Sequence, residues 1–253
     1  VRQGMKSFYE ELKDRSKKRI ALLVDPDGYD NDGLEELMGH IKQYPPDLLL
    51  VGGSILFKPI DLTITSLKLG TRLPVFIFPG NLYQLSDRAD GILFLSMISG
   101  RNPEYLIGNH VLAAPHLGES GIEVIPTGYM LIGDGKISSV EYMSNTTPIP
   151  GDKRDSAVAT AMAGEMLGLK SLYLEAGSGA THSVKPDLVG AIRKNISLPL
   201  MVGGGIRSTD TAGELFSAGA DMIVVGNALE ENPGLIKDFC QLRDSVNSAK
   251  SRK

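Results

Sequence analysis

The stretch Pro199-Leu200-Met201-Val202-Gly203-Gly204-Gly205-Ile206-Arg207-Ser208, followed about a helix later by Met222-Ile223-Val224-Val225-Gly226-Asn227-Ala228, decides how this chain is read. Each half is a short apolar run that ends in glycine, and each glycine end leads into a helical pattern. Backbone without side chains lets N–H groups approach an anion closely, and a following helix N-terminus adds the positive end of its dipole. Two consecutive β-to-α junctions of this kind near the C-terminus match the place where (β/α)8 barrels hold a substrate phosphate. A tight turn would account for one such loop; two in tandem favour a phosphate site.

Upstream, short β-branched or leucine-rich runs alternate with amphipathic segments, the βαβα signature of a parallel sheet. Strands are expected at 19–24, ending in Asp25-Pro26-Asp27, at 47–51, ending in Gly52-Gly53-Ser54, at 74–78, ending in Pro79-Gly80, and at 91–95. A fifth lies within 122–131, and a sixth at 171–174 ends in Glu175-Ala176-Gly177-Ser178-Gly179. The seventh and eighth fall at 198–202 and 222–225. Helices are expected at 32–43, with Leu34, Leu37, Met38 and Ile41 as the apolar stripe, at 156–167 and at 233–246. Asn102-Pro103-Glu104 opens another, and 133–152 reads as a long polar connection.

Eight strands in one domain of this length read as a closed (β/α)8 TIM-like barrel, with a doubly wound open sheet as the alternative. Residues 81–90, between the third and fourth strands, are too few for a full crossover helix with its loops. The third crossover helix is therefore expected to be reduced or replaced, opening a groove along that side.

The 253 residues are 42% hydrophobic and 22% charged, enough to bury a sizeable core, and no Pro/Gly/Ser-rich linker divides them. Residues 1–253 thus read as a single barrel domain, with 1–4 as a vector remnant ahead of an initiator Met5. A net charge of −4 argues against a nucleic-acid partner, which needs a basic face. The single cysteine, Cys240, excludes intrachain disulfides and a cysteine-rich metal site and suits a reducing, cytoplasmic setting. No apolar stretch reaches the roughly 18 residues of a transmembrane segment. The start, Val1-Arg2-Gln3-Gly4-Met5-Lys6, lacks the apolar core of a signal peptide, while transient contact with a membrane surface stays open for a lipidic substrate.

Barrel enzymes work at the C-terminal ends of their strands. This reading gathers Asp25, Asp27, Ser54, Tyr173, Glu175, Ser178, Gly204, Gly205, Gly226 and Asn227 there. One side of the ring carries carboxylate and hydroxyl oxygens, the other glycine amides. Asp25 and Ser54 supply two neighbouring hard oxygens, and Mg²⁺ is typically held by one or two protein oxygens and completed by water and substrate phosphates. A turn is the plain alternative for Asp25-Pro26-Asp27, and a helix cap for Ser54. Glu175 ends an apolar strand, so its partly desolvated carboxylate suits a general base or a hydroxyl acceptor; a solvated strand-end glutamate is the alternative. His40, His110, His116 and His182 form no i, i+4 ligand pair, and the surface is the expected place for His182.

The set Leu22-Leu23-Val24-Asp25-Pro26-Asp27, Val51-Gly52-Gly53-Ser54, Tyr173-Leu174-Glu175-Ala176-Gly177-Ser178-Gly179, Val202-Gly203-Gly204-Gly205-Ile206-Arg207 and Val225-Gly226-Asn227 resembles the geranylgeranylglyceryl phosphate synthases, over nearly the whole chain and in the right order. Ser144-Asn145-Thr146-Thr147-Pro148-Ile149-Pro150 resembles the larger-protein branch of that family. The resemblance implies a prenyltransferase that joins sn-glycerol 1-phosphate to geranylgeranyl diphosphate, forming the first ether bond of an ether lipid. A longer prenyl donor is the alternative within the family. Carried over by motif, it implies Asp25 and Ser54 as Mg²⁺ ligands. It implies Tyr173, Leu174, Glu175, Ala176, Gly177, Ser178, Gly179, Gly204, Gly205, Gly226 and Asn227 around the glycerol phosphate. Glu175, Tyr173 and Asp25 are the expected catalytic residues. Family members often carry lysine after Asp-Pro-Asp, whereas this chain has Gly28, which leaves any basic contact to the diphosphate to another cation. Family analogy also implies a homo-oligomer.

A prenyl chain needs a long apolar groove. The thinned third crossover would supply its wall, with Phe76, Phe78, Tyr83 and Tyr129 as lining, although barrel core is an equally good place for Phe76. The rivals are a barrel isomerase or lyase acting on a small sugar phosphate, and a non-catalytic phosphate-binding barrel. The first needs a catalytic lysine or acid–base pair inside the barrel, and Lys58, beyond Ser54, is the lone lysine near a strand end. The presence of Asp25, Ser54 and Glu175 weighs against the second.

Overall fold

A computed structural model describes residues 7–133 and 135–250; the expected vector remnant at 1–4 lies outside them. Nine parallel-paired strands are present: β1 (Arg19–Val24), β2 (Leu48–Val51), β3 (Val75–Ile77), β4 (Gly91–Ser96), β5 (Glu123–Gly133), β6 (Ile149–Pro150), β7 (Ser171–Glu175), β8 (Leu200–Gly203) and β9 (Met222–Val225). All except the two-residue β6 form a ring in the order β4-β3-β2-β1-β9-β8-β7-β5, and β5 returns to pair with β4. The expected closed barrel forms, and the open sheet does not. Register is continuous around the closure, from Ala21 opposite Leu48 and Arg19 opposite Met222 to Gly91 opposite Glu123.

Strand side chains alternate, and the alternation divides the core into two layers. Ala21, Leu48, Leu50, Phe76, Leu93, Tyr129, Tyr173, Met201, Met222 and Val224 pack together inside the barrel. Their neighbours Ile20, Leu22, Leu49, Val51, Ile77, Ile92, Leu172, Leu174, Val202 and Ile223 pack outward against helices. These helices are α2 (Asn31–Gln43), α3 (Ile60–Thr71), α4 (Asn109–Ser120), α6 (Arg154–Met166), α7 (Pro186–Arg193), α8 (Thr209–Ala218) and α10 (Ile236–Lys250). A π-helical turn, Glu104–Gly108, leads into α4. The short helices α1 (Phe8–Leu12), α5 (Ser139–Ser144) and α9 (Asn227–Glu231) complete the set. The connection at 133–152, read as a long polar connection, thus contains α5 and β6. Ser138 starts α5 by accepting the Glu141 amide at 3.1 Å.

Two features decide where the ends of the barrel lie. At the N-terminal end, α1 closes the floor: Phe8 packs on Phe76 with ring centroids 5.4 Å apart, and Leu12 is wholly buried. The first-turn amides of α1 have no intrahelical partners, and the Glu123 carboxylate takes them, accepting Phe8 N–H at 2.8 Å and Tyr9 N–H at 3.0 Å. Between β3 and β4, residues 78–90 contain no helix, as the short spacing requires. Side-chain anchors take its place: Asp90 accepts Val75 N–H at 2.9 Å and Lys68 at 2.6 Å, and Ser86 donates to Asp61 at 2.5 Å.

Candidate active site

With α1 closing the floor, the open end of the barrel is the C-terminal one. A cavity of about 280 Å³ sits there, lined by Asp25, Ser54, Tyr173, Glu175, Ser178, Gly204, Gly205, Gly226 and Asn227. Asp27 lines it as well, so all ten residues expected at the barrel mouth are brought to one space. Strand parity is the reason for several of them. Asp25 follows Leu23, Glu175 follows Tyr173, and Gly226 follows Val224, each two residues beyond an inward-facing position.

Leu174, expected among the residues around the glycerol phosphate, has the opposite parity. It is wholly buried in the outer layer against the helices, and its side chain does not reach the cavity. Ala176 also packs on the outer layer. Gly177 and Gly179 contribute backbone: Gly177 N–H donates to Glu175 Oε1 at 2.6 Å, and Gly179 N–H donates to Asn227 Oδ1 at 3.2 Å.

Glu175 is 5% exposed. Burial pushes its carboxyl up to about 7, against the opposing pull of the Gly177 amide and the Tyr173 hydroxyl that donate to it. That places a carboxylate between protonated and ionised forms near neutral pH, the condition for a proton acceptor. The Tyr173 and Tyr129 phenols are pushed well above their ordinary range by burial and by the Glu175 charge, so both stay protonated. Their rings stack at 5.6 Å, nearly parallel at 6°, and Phe78 lies 5.0 Å from Tyr173. The centre of the cavity is thus a carboxylate beside three aromatic rings.

The glycine loop after β8 is shaped by these same groups. Gly204 (φ 79°) and Gly205 (φ 66°) hold left-handed backbone, where an L side chain is strained. A Cβ on Gly203 would collide with the Tyr173 hydroxyl, and one on Gly204 with Glu175 Oε1. The protein itself therefore demands this run, so the turn reading of it is sufficient for the fold. Gly226 differs. Its φ is −123°, and a Cβ there would meet nothing closer than Leu23 O at 3.5 Å. It starts the five-residue α9 without a side-chain cap. The helix after the β8 loop begins later, at Thr209 behind a Ser208 cap, so its dipole is set back from Gly204 and Gly205.

At the opposite side, Asp25 Oδ1 accepts Asp27 N–H at 2.8 Å, and burial raises its carboxyl above the ordinary range. Asp27 lines the same cavity and also holds the next loop, accepting Phe57 N–H at 2.7 Å and Lys58 N–H at 2.9 Å. Lys58 donates to Tyr29 O at 2.6 Å, and its charge lowers the Asp25 carboxyl, offsetting part of the burial. A lysine brought from β2's loop thus stands as a cation near Asp25. The space at Gly28 is filled from the loop after the neighbouring strand β9: a Cβ there would lie 3.3 Å from the Glu230 carboxyl carbon. Glu230, which accepts Asn227 Nδ2–H at 3.3 Å and is raised by burial and by Asp25, was not found from sequence. Its one signal is the spacing of three residues from Asn227 on a helix.

Away from the polar ends the cavity becomes apolar. It runs past Leu95, Met97 and Tyr129 inside the barrel to Ile92 and Phe94 on the outer face of β4 and Ala113 of α4. Leu82 and Leu85, from the segment without a helix, form its wall. The expected groove is there. Phe78 and Tyr129 line it; Phe76 is floor core, 1% exposed. Tyr83 is 97% exposed and absent from the lining, because residues 78–90 do not wind as a helix and its side chain leaves the wall. His110 edges onto Phe94 at 4.5 Å beside this groove, and burial lowers its imidazole. His182 is at the surface, as expected.

Comparison with known proteins matches this arrangement. A PcrB family model covers residues 13–243. The chain is 46% identical over 244 residues to a protein of Spirosoma linguale named geranylgeranylglyceryl phosphate synthase, covering 96% of this chain and 98% of that one. It is 36% identical to a protein of the same name from Korarchaeum cryptofilum, covering 96% and 100%. The solved (S)-3-O-geranylgeranylglyceryl phosphate synthase of Thermoplasma acidophilum, in complex with its substrate sn-glycerol-1-phosphate, superposes with a TM-score of 0.89 at 31% identity, covering 96% of this chain and all of that one. Matching in family model, in sequence over almost its whole length and in the course of its barrel, the chain belongs to the PcrB family, together with these geranylgeranylglyceryl phosphate synthases.

Proposed function

We infer that this chain is a prenyltransferase that joins sn-glycerol 1-phosphate to geranylgeranyl diphosphate through an ether bond. The observation that carries the reading is one continuous cavity with a glycine rim, a carboxylate pushed to about 7, a second half-buried carboxylate opposite, and an apolar arm leaving over β4. A sugar-phosphate isomerase or lyase needs the rim and a catalytic lysine or acid–base pair, but not the arm. No lysine lines the cavity among the described residues.

Gly204, Gly205, Gly226, Ser178 and Asn227 form the cup for the glycerol phosphate, whose hydroxyl then faces Glu175. Holding the phosphate fixes which hydroxyl meets the donor and removes much of the entropy cost of bringing the reactants together. Glu175 takes the hydroxyl proton, and the Tyr173 hydroxyl keeps the carboxylate oriented. As the allylic C–O bond lengthens, positive charge grows on carbon, and the Phe78, Tyr129 and Tyr173 rings line the cavity that would hold it. The prenyl tail lies in the arm between Leu82, Leu85, Ile92 and Phe94.

Asp25 and Ser54 are the residues that would hold Mg²⁺. Among the described residues there is no group of three His, Cys, Asp or Glu able to cage a metal. A desolvated carboxylate beside a hydroxyl suits an ion that takes its remaining ligands from water and substrate diphosphate. Bound there, Mg²⁺ would supply charge neutralisation for the departing diphosphate. No helix among the described residues is long and apolar enough to cross a membrane.

The test is direct. The protein with sn-glycerol 1-phosphate, geranylgeranyl diphosphate and Mg²⁺ should yield the C20 ether phosphate by mass spectrometry, and a longer donor should compete poorly. Turnover of ribose phosphates with no ether product would overturn the reading.

A further inference from the structure

Residues 78–90 have no helix to satisfy their backbone, yet Gln84 within them is 2% exposed. Its amide is spent on two neighbouring loops. Oε1 accepts Gly80 N–H at 3.0 Å and Gly53 N–H at 3.3 Å, and Nε2 donates to Gly53 O at 2.7 Å. The Gly53 peptide is therefore gripped on both its polar groups by one side chain from the wall of the apolar arm. Gly53 in turn abuts the oxygen pole, since a Cβ on it would stand 2.6 Å from Asp25 Oδ2, and Ser54 follows it directly. Gly80 packs against Gly53 O so closely that no side chain fits between them.

We propose that Gln84 is a positioning residue that locks the Gly53-Ser54 backbone, and with it the Asp25 carboxylate, to the loop walling the apolar arm. The lock links the place where the prenyl tail lies to the place where its diphosphate leaves, so the donor is held at both ends by one rigid piece. A buried amide with three backbone partners holds its geometry better than a flexible loop, because any movement of Gly53 leaves buried polar groups unpaired. The glycine rim is tied down by other groups, the Glu175–Gly177 and Gly179–Asn227 bonds, and does not depend on Gln84. The inference rests on the reading of the Asp25 pole as the diphosphate end.

The experiment uses the whole chain with Gln84→Met, which keeps size and removes all three bonds, and Gln84→Glu, which keeps an acceptor but cannot donate to Gly53 O. The Michaelis constant for geranylgeranyl diphosphate and the Mg²⁺ concentration for half-maximal rate should both rise about tenfold in Gln84→Met, the loss of one to two net hydrogen bonds. Calorimetric affinity for sn-glycerol 1-phosphate should stay within about twofold. Equal losses for both substrates, or a lower melting temperature with an unchanged donor constant, overturn the proposal. Amide hydrogen exchange supplies an arm independent of the chemistry: Gly53 and Gly80 should be protected in the parent, lose protection in Gln84→Met and keep it in Gln84→Glu, whose carboxylate still accepts both N–H groups, while Gly177 and Gly179 are unchanged in both. Unprotected amides in the parent would overturn the lock even if neither variant folds. If Asp25→Asn leaves the donor and Mg²⁺ constants unchanged while the exchange result holds, the diphosphate reading of the pole fails and the lock stands as structure alone, which also overturns the positioning role.

Discussion

At the glycine rim, the loops after β7, β8 and β9 keep their shape through bonds among themselves: Gly177 to Glu175, Gly179 to Asn227, and left-handed Gly204 and Gly205 tucked against Glu175 and the His182 backbone. At the oxygen pole, side chains tie neighbouring loops together, Asp27 of the loop after β1 gripping residues 57 and 58 and Gln84 of the loop after β3 gripping Gly53. At Gly204 and Gly205 the first region is built of left-handed backbone that admits one residue type. The second is built of polar side chains reaching between neighbouring loops. The rim should therefore fail all at once when Gly204 is replaced, whereas the pole should lose function by degrees.

The largest effect should come from the group between the two. Glu175→Gln keeps shape and removes the charge, so ether formation should fall by roughly 10²–10⁴ with glycerol phosphate affinity retained. Rate measurements and calorimetry on one preparation check both, and ether formation at the parent rate would leave Glu175 a binding group only. The same carboxyl sets the pH response. Its ionised form is the acceptor, so kcat/KM should rise with pH through about 7, and this limb should vanish in the variant. Stability runs the other way. Folding favours the neutral form, so the stabilisation is full below the ordinary value near 4.5 and is lost as pH rises through about 7. Glu175→Gln should then melt above the parent at pH 8 and close to it near pH 4.

Next, Asp25→Asn should reduce transfer about 10²-fold, the loss of about 3 kcal/mol of charge stabilisation, with the melting temperature nearly unchanged. Near-normal turnover at saturating Mg²⁺ would remove Asp25 from the metal pole.

The two glycine loops can then be set against each other. Gly204→Ala puts a side chain at φ 79° and into Glu175, so melting should drop by about 3–10 °C, and both glycerol phosphate binding and transfer should be lost. Gly226→Ala meets only ordinary contacts, so melting should stay within about 2 °C while glycerol phosphate affinity falls roughly tenfold. If the two behave alike, Gly226 serves the fold and not the anion. Smallest of all, Tyr83→Ala should leave the donor constant within about twofold, since the ring is 97% exposed, outside the groove.

Much of this was legible along the chain because it is written in local periodicity. β1 and β9 fall on the bounds their apolar runs predict, and the missing helix between β3 and β4 follows from residue count. Strand parity also carried information that the motif reading overrode: Leu174, one residue from Tyr173 and Glu175, had to face away. What stayed hidden depends on partners far apart. Glu123 capping α1, Glu230 filling the space at Gly28 and Gln84 holding Gly53 leave no repeating trace in the sequence.

The sequence by itself therefore determined the barrel, its working end and the chemical types gathered there, because alternation and glycine conformations are properties of neighbouring residues. Closure of the barrel decided the rest. Pairing β4 with β5 brings the floor, the two poles and the outer face of β4 into fixed relation, and burial then sets the Glu175 carboxyl near 7. A pKa and a long-range hydrogen bond depend on what surrounds a group in space, and that surrounding exists only after the chain has closed on itself.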